Sequence, residues 1–166
     1  VNLGGSTGLE FFRPPLPPGA HEGEWWEAAR VSIEGCVFVE GECAVAIVGA
    51  SDARISRCTI VRPRRWPFRL LQETTDARFG ASRGATVEGC VIVADSLRTP
   101  VNVGAGSDPA AFQWEANVWW GRGLDAATLA RSLPGDVRGE RVALDPALDD
   151  DRRPTHPDAR GFGAGG

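Results

Sequence analysis

The stretch ARVSIEGCVFV at residues 29–39 returns as DARISRCTIV at 52–61, GATVEGCVIV at 84–93 and AFQWEANVWW at 111–120. Superposed, the four copies align Ile33, Ile55, Val87 and Trp114, then Cys36, Cys58, Cys90 and Asn117, then Phe38, Ile60, Ile92 and Trp119. Each copy reads as two short strands around a tight turn. Between the copies a second phrase recurs, VNLGGS at 1–6, AVAIVGAS at 44–51, FRLLQE at 68–73 and PVNVGAGS at 100–107. The alternation gives a coil of three short strands, with spacings of 22, 32 and 27 residues along the Cys/Asn column. Variable spacing with constant strands is what a solenoid produces, since insertions fall at the corners.

Stacking is the physical basis of this reading. One coil cannot bury its apolar side chains, but equivalent positions in successive coils lie ~4.8 Å apart and form continuous interior columns. The expected fold is all-β, a right-handed parallel β-helix of about 3.5 coils over residues 1–120, the C-terminal part of a longer solenoid. A short capping helix is expected within 121–135, where Asp125 is the N-cap, Ala126 to Leu133 the helix and Pro134-Gly135 its stop. Residues 136–166 are expected to form an irregular tail. Along the face strands, a two-residue period puts Val1, Leu3, Ala46, Val48, Phe68, Leu70, Val101 and Val103 inward, leaving Asn2, Ile47, Arg69 and Asn102 outward. The Cys column reads as buried thiols standing where an Asn ladder would otherwise run. Disulfides fit it less well, because stacked neighbours sit further apart at Cβ than the ~3.8 Å that a disulfide prefers.

Composition narrows the function classes. A net charge of -4 argues against a nucleic-acid footprint, which needs a basic face. No apolar run approaches the ~20 residues of a membrane span. The chain has no Met and starts at Val1 inside a strand, so upstream coils, or a partner, are expected to cover an open end. The run Asp149 to Asp151 reads as solvated charge, and no metal site is assigned.

Candidate site residues come from the corners and the outward face. The insertion at 7–29 mixes Phe11, Phe12, Trp25 and Trp26 with Glu10, Arg13, His21, Glu22 and Glu27, a combination that suits a sugar chain or the packing of the loop itself. A second insertion covers 74–83. RPRRWPFR at 62–69 places Arg64, Arg65 and Trp66 at the corner before Arg69, an anion-friendly patch on an acidic protein. Glu73 points outward ~13 Å beyond Arg69 on a straight strand. Gln72 reads as structural.

The repeats IEGCVFV, ISRCTIV and VEGCVIV, with the face strands between them, resemble the right-handed parallel β-helix superfamily typified by pectate lyases. GGSTG at 4–8, FFRP at 11–14, RWPFRLLQET at 65–74, VNVGAGSDPAAF at 101–112 and GFGA at 161–164 are similar to an uncharacterised bacterial group of secreted β-helix proteins. The resemblance implies an extracellular or periplasmic protein acting on acidic polysaccharide, with cleavage by β-elimination as the implied chemistry. In such enzymes an Arg serves as base and calcium often neutralises the uronate carboxylate. Calcium is thus the one candidate cofactor. The catalytic candidates are Arg69, Glu73 and His21, and the substrate-binding candidates are Asn2, Arg13, Trp25, Trp26, Arg64, Arg65, Trp66 and Asn102. A glycoside hydrolase would instead need two carboxylates roughly 5 to 9.5 Å apart. A β-helix that binds glycan without cleaving it, or simply presents a surface, is the competing reading.

Overall fold

A computed structural model describes residues 1–5, 15–95, 97, 99–142 and 145–165. Its strands, in chain order, are β1 (Asn2–Gly4), β2 (Ala28–Ala29), β3 (Ser32–Glu34), β4 (Val37–Val39), β5 (Cys43–Val48), β6 (Ala50–Ser51), β7 (Arg54–Ser56) and β8 (Thr59–Val61). They continue as β9 (Trp66–Leu71), β10 (Thr86–Glu88), β11 (Val91–Ala94), β12 (Val101–Val103), β13 (Gln113–Glu115), β14 (Val118–Gly121), β15 (Asp136–Arg138) and β16 (Arg141–Val142). The strands are short because each repeat bends at its centre. The bending residue is left-handed every time, with φ of 63° at Gly35, 48° at Arg57, 59° at Gly89 and 53° at Ala116. Glycine adopts this conformation without strain, whereas Arg57 and Ala116 hold it against their own preference.

Among the described residues the strands form three parallel sheets, ordered β1-β5-β9-β12, β3-β7-β10-β13-β15 and β4-β8-β11-β14-β16, and β2 pairs with β6. Apart from β2 and β6, the strands fall along the chain in the first, second and third sheets in turn through β14, and β15 and β16 extend only the second and third. Register therefore stacks Ile33, Ile55, Val87, Trp114 and Val137 in one column. It stacks Phe38, Ile60, Ile92, Trp119 and Val142 in another. Both columns belong to one core cluster, where Phe68 meets Trp114 edge-on at 5.2 Å between ring centroids and Trp119 at 6.2 Å. Such ring pairs contribute about 0.5–1.5 kcal/mol beyond their burial.

The Cys/Asn column works as a hydrogen-bonded ladder. Cys58 N–H donates to Cys90 Sγ at 3.4 Å, Cys90 N–H to Asn117 Oδ1 at 2.9 Å, and Asn117 N–H to Glu140 Oε1 at 3.1 Å. Each side chain also reaches back to a carbonyl of the preceding round: Cys58 Sγ to Ile33 at 3.8 Å, Cys90 Sγ to Ile55 at 3.7 Å and Asn117 Nδ2 to Val87 at 2.9 Å. Thiols here do the bridging of an amide, and all four cysteines are free. Glu140 terminates the ladder, accepting also from Asn117 Nδ2 at 2.9 Å and from the Trp119 indole N–H. Burial pushes its carboxyl above the ordinary value, against the pull of those donors.

Four expectations need correction. First, the inward and outward assignment fails in part: Ile47 is 1% exposed in the interior, Ala46 and Val48 belong to a separate cluster with Leu71 on the outer face of that sheet, and Val1 and Val103, expected inward, are exposed. Every residue of CAVAIV in β5 is apolar and nearly all are buried, so alternation cannot select a face. Second, Cys36 is exposed: among the described residues β3 and β4, which flank it, are edge strands of their sheets. Third, the strand pairing does not stop at Gly121. DVRGERV at 136–142 adds β15 and β16, with Gly139 in the same left-handed bend at φ 66° and Glu140 in the Cys/Asn position.

Fourth, the C-terminal segment is irregular but packed. The outer face of β4-β8-β11-β14-β16 carries Thr59, Val91 and Val118, all fully buried. Ala164 N–H donates to Thr59 Oγ1 at 2.9 Å, Gly163 N–H donates to Gly89 O at 2.8 Å, and Arg141 lies over the Phe162 ring at 4.8 Å. A Cβ at Gly163 would come within 2.6 Å of Thr59 Oγ1, so the segment seats there only with glycine. Helix α1 (Ala126–Ser132) begins where Asp125 Oδ1 accepts from Thr128 N–H at 2.6 Å. Leu124, Leu129 and Leu133, on and beside it, join the core cluster with Trp114 and Trp119 and close the interior at that end.

Candidate functional site

The outer face of β1-β5-β9-β12 gathers several of the candidates. Register sets Asn2, Ala46, Arg69 and Asn102 in one row across the sheet. Ala46 and Asn102 flank Arg69 on the two neighbouring strands. The Trp66 ring stands beside Arg69 at the start of β9. Pro67 has no N–H to give to the ladder, and pairing skips from Cys43↔Trp66 to Val45↔Phe68.

Two guanidinium groups flank the Trp66 ring, Arg65 at 4.6 Å and Arg69 at 5.5 Å from its centroid. They differ in charge balance. Arg65 Nη1 sits 2.6 Å from Glu42 Oε1, whereas among the described residues Arg69 has no carboxylate partner and its Nε is buried without a hydrogen bond. Other arginines resemble Arg65: Arg54 pairs with Glu88, Arg57 with Glu34, Arg62 with Glu40 and Arg78 with Asp76. A buried, unpaired N–H on a charged group is costly, and an oxyanion brought to it would recover that cost. Cys43 lies at the same end of the face. Burial raises its thiol, against the pull of the Val1 ammonium and then of Arg69.

The two corner insertions pack on each other beyond the end of β9. Gly23 N–H donates to Ala77 O at 2.9 Å, and Gly80 N–H donates to Trp25 O at 2.8 Å. Trp26 donates its indole N–H to Ala81 O at 2.9 Å and lies under Arg83 at 5.3 Å, so its ring fastens the corner. Glu27 Oε1 accepts from Thr74 Oγ1 at 2.5 Å, and Gln72 spans Gly80 O and Thr74 N–H, a structural clasp. Glu73 and His21 are exposed, and neither bonds to Arg69. Arg64 is exposed at the far corner, lining a shallow pocket with Glu40, Arg62 and Asp95. Arg13 and Glu10 lie outside the described residues.

The structure thus brings Arg69, Trp66, Asn102 and Asn2 onto one face, commits Arg65 and Trp26 to local contacts, and leaves Arg64, His21 and Glu73 elsewhere. Ala46, expected inward, stands in the Arg69 row, and Glu140 went unassigned although its place in the repeat is readable in the spacing of DVRGERV. Among the described residues no group of three or more His, Cys, Asp or Glu side chains is placed to share a metal ion, and no helix is long and apolar enough to cross a membrane. Compared with known proteins, the chain matches no family model, no curated protein and no solved structure.

Proposed function

We propose that this chain is part of a secreted right-handed parallel β-helix of the pectate lyase type, which binds an acidic polysaccharide on the outer face of β1-β5-β9-β12. Rounds of three short parallel strands with stacked apolar columns support the architecture, and the right-handed sense follows from the chirality of parallel crossovers. The observation that carries the binding reading is Arg69, a guanidinium against the Trp66 ring whose buried Nε has no hydrogen-bond partner among the described residues. A uronate carboxylate supplies the missing oxygen atoms, while the sugar's C–H face packs on the ring and Asn102 and Asn2 meet hydroxyls. Binding without cleavage is the favoured form. β-Elimination needs, beside Arg69 as base for the C5 proton, an acid for the leaving oxygen, and the other two catalytic candidates, Glu73 and His21, stand exposed at the corner insertions rather than in the Arg69 row. Affinity electrophoresis in polygalacturonate, with new ultraviolet absorbance followed in parallel, tests both forms. Retardation without absorbance, lost in Arg69→Ala, is expected. Absorbance lost in Arg69→Ala restores the lyase, and no retardation by any uronate polymer removes the proposal.

A further inference from the structure

We propose that residues 157–165 form a latch, which ties non-adjacent rounds of strands together and keeps the last round from opening on its own. In the third sheet each strand meets only its neighbours: β16 pairs with β14, β14 with β11 and β11 with β8. A stack held by neighbour contacts alone frays from its end, one round at a time. The place for fraying here is β16, two residues long and last in its sheet.

The C-terminal segment crosses that order on the outer face of β4-β8-β11-β14-β16. At one end Arg141 of β16 donates from Nη1 to Asp158 O at 2.6 Å and lies over the Phe162 ring at 4.8 Å. The next residue reaches another round, where Gly163 N–H donates to Gly89 O at 2.8 Å, at the bend before β11. Ala164 N–H then donates to Thr59 Oγ1 of β8 at 2.9 Å, a buried bond between residues 105 apart in sequence. From β16 to β8 is three strand steps, about 14 Å. Ala159 and Ala164 are buried along this path, and a Cβ at Gly163 would meet both Thr59 Oγ1 and Val91 Cγ2, so the seat admits this segment closely. Arg141 is thereby fastened to β8 and β11 as well as to β14, and β16 opens only after the latch releases.

Native-state hydrogen exchange, read residue by residue by NMR, tests the proposal. Thr59, Val91, Val118 and Arg141 each donate a backbone N–H to the preceding round, at Cys36, Cys58, Cys90 and Asn117 respectively, so four equivalent amides report on four successive interfaces. In the wild type, Arg141 N–H should be protected as well as Val91 and Val118 N–H. Thr59→Val keeps the shape of the side chain and removes the acceptor of Ala164 N–H. Losing that buried hydrogen bond weakens the latch about tenfold, so Arg141 N–H should exchange about tenfold faster relative to Val118 N–H, although the substitution lies three strands away. Gly163→Ala should act in the same direction, through the clash instead of the lost acceptor. A wild type in which Arg141 already exchanges far faster than Val91, an unchanged Arg141 in both variants, or equal acceleration of all four amides would overturn the proposal.

Discussion

Replacing Asn117 probes the ladder at its best-bonded rung. Asn117 is fully buried, and in Asn117→Ala the Cys90 N–H loses its partner while the Val87 carbonyl and Glu140 each lose one of their donors. One buried N–H left unpaired, at about 2 kcal/mol, and one hydrogen bond lost at each of the Val87 carbonyl and Glu140, at about 1 kcal/mol apiece, give a loss of about 4 kcal/mol. That is a large part of the ~5–15 kcal/mol that holds a domain folded. Asn117→Cys is the informative companion, because Cys90 performs the same bridging one round earlier with longer contacts of 3.4 and 3.7 Å. A thiol at 117 should therefore recover about half of the loss, leaving a cost of about 2 kcal/mol. Urea unfolding followed by tryptophan fluorescence gives both values, with unchanged slopes confirming that the denatured state is not altered. Equal losses for Cys and Ala, or less than about 1 kcal/mol for Ala, would refute the ladder as a stabilising device.

Glu140 predicts a pH dependence. Its folded carboxyl titrates above the ordinary range, so the protonated form favours the fold, and stability is lost as pH rises from the unfolded value through the folded one. The stability gap between wild type and Glu140→Gln should change across that window in that sense and be flat above it; a gap independent of pH contradicts the assignment. Gly163→Ala should lift the C-terminal segment from Thr59 and Val91, detected as increased binding of a hydrophobic dye to chains that keep their strand content. No change in dye binding would mean that the segment does not seat on that sheet. Thiol titration of the native chain should label Cys36 first and reach Cys58 and Cys90 only on unfolding, and simultaneous labelling would contradict the stacking order.

The turn columns are legible in the sequence because Ile33, Cys36 and Phe38 recur with their spacing intact, and stacking demands like on like. The orientation of β5 is not, because its two faces are equally apolar. The round at 136–142 hides for a related reason. Its only apolar inward residues are Val137 and Val142, and Glu140 stands where thiols or an amide stood before. Arg69 is conspicuous as the one charge within the apolar run PFRLL. Trp26 and Arg65 show the limit of such reading: an aromatic or a cation in a loop has the same sequence signature whether it faces a ligand or, as here, Ala81 and Glu42.

The functional reading turns on Arg69, and calorimetric titration with a galacturonate oligomer against a neutral galactose oligomer of equal length tests it most directly. The account predicts binding of the acidic oligomer only. It also predicts about a 10- to 150-fold weakening in Arg69→Ala, the equivalent of one charged hydrogen-bonding group, about 1.5–3 kcal/mol. Equal affinity for both oligomers, or undiminished binding by Arg69→Ala, would contradict it.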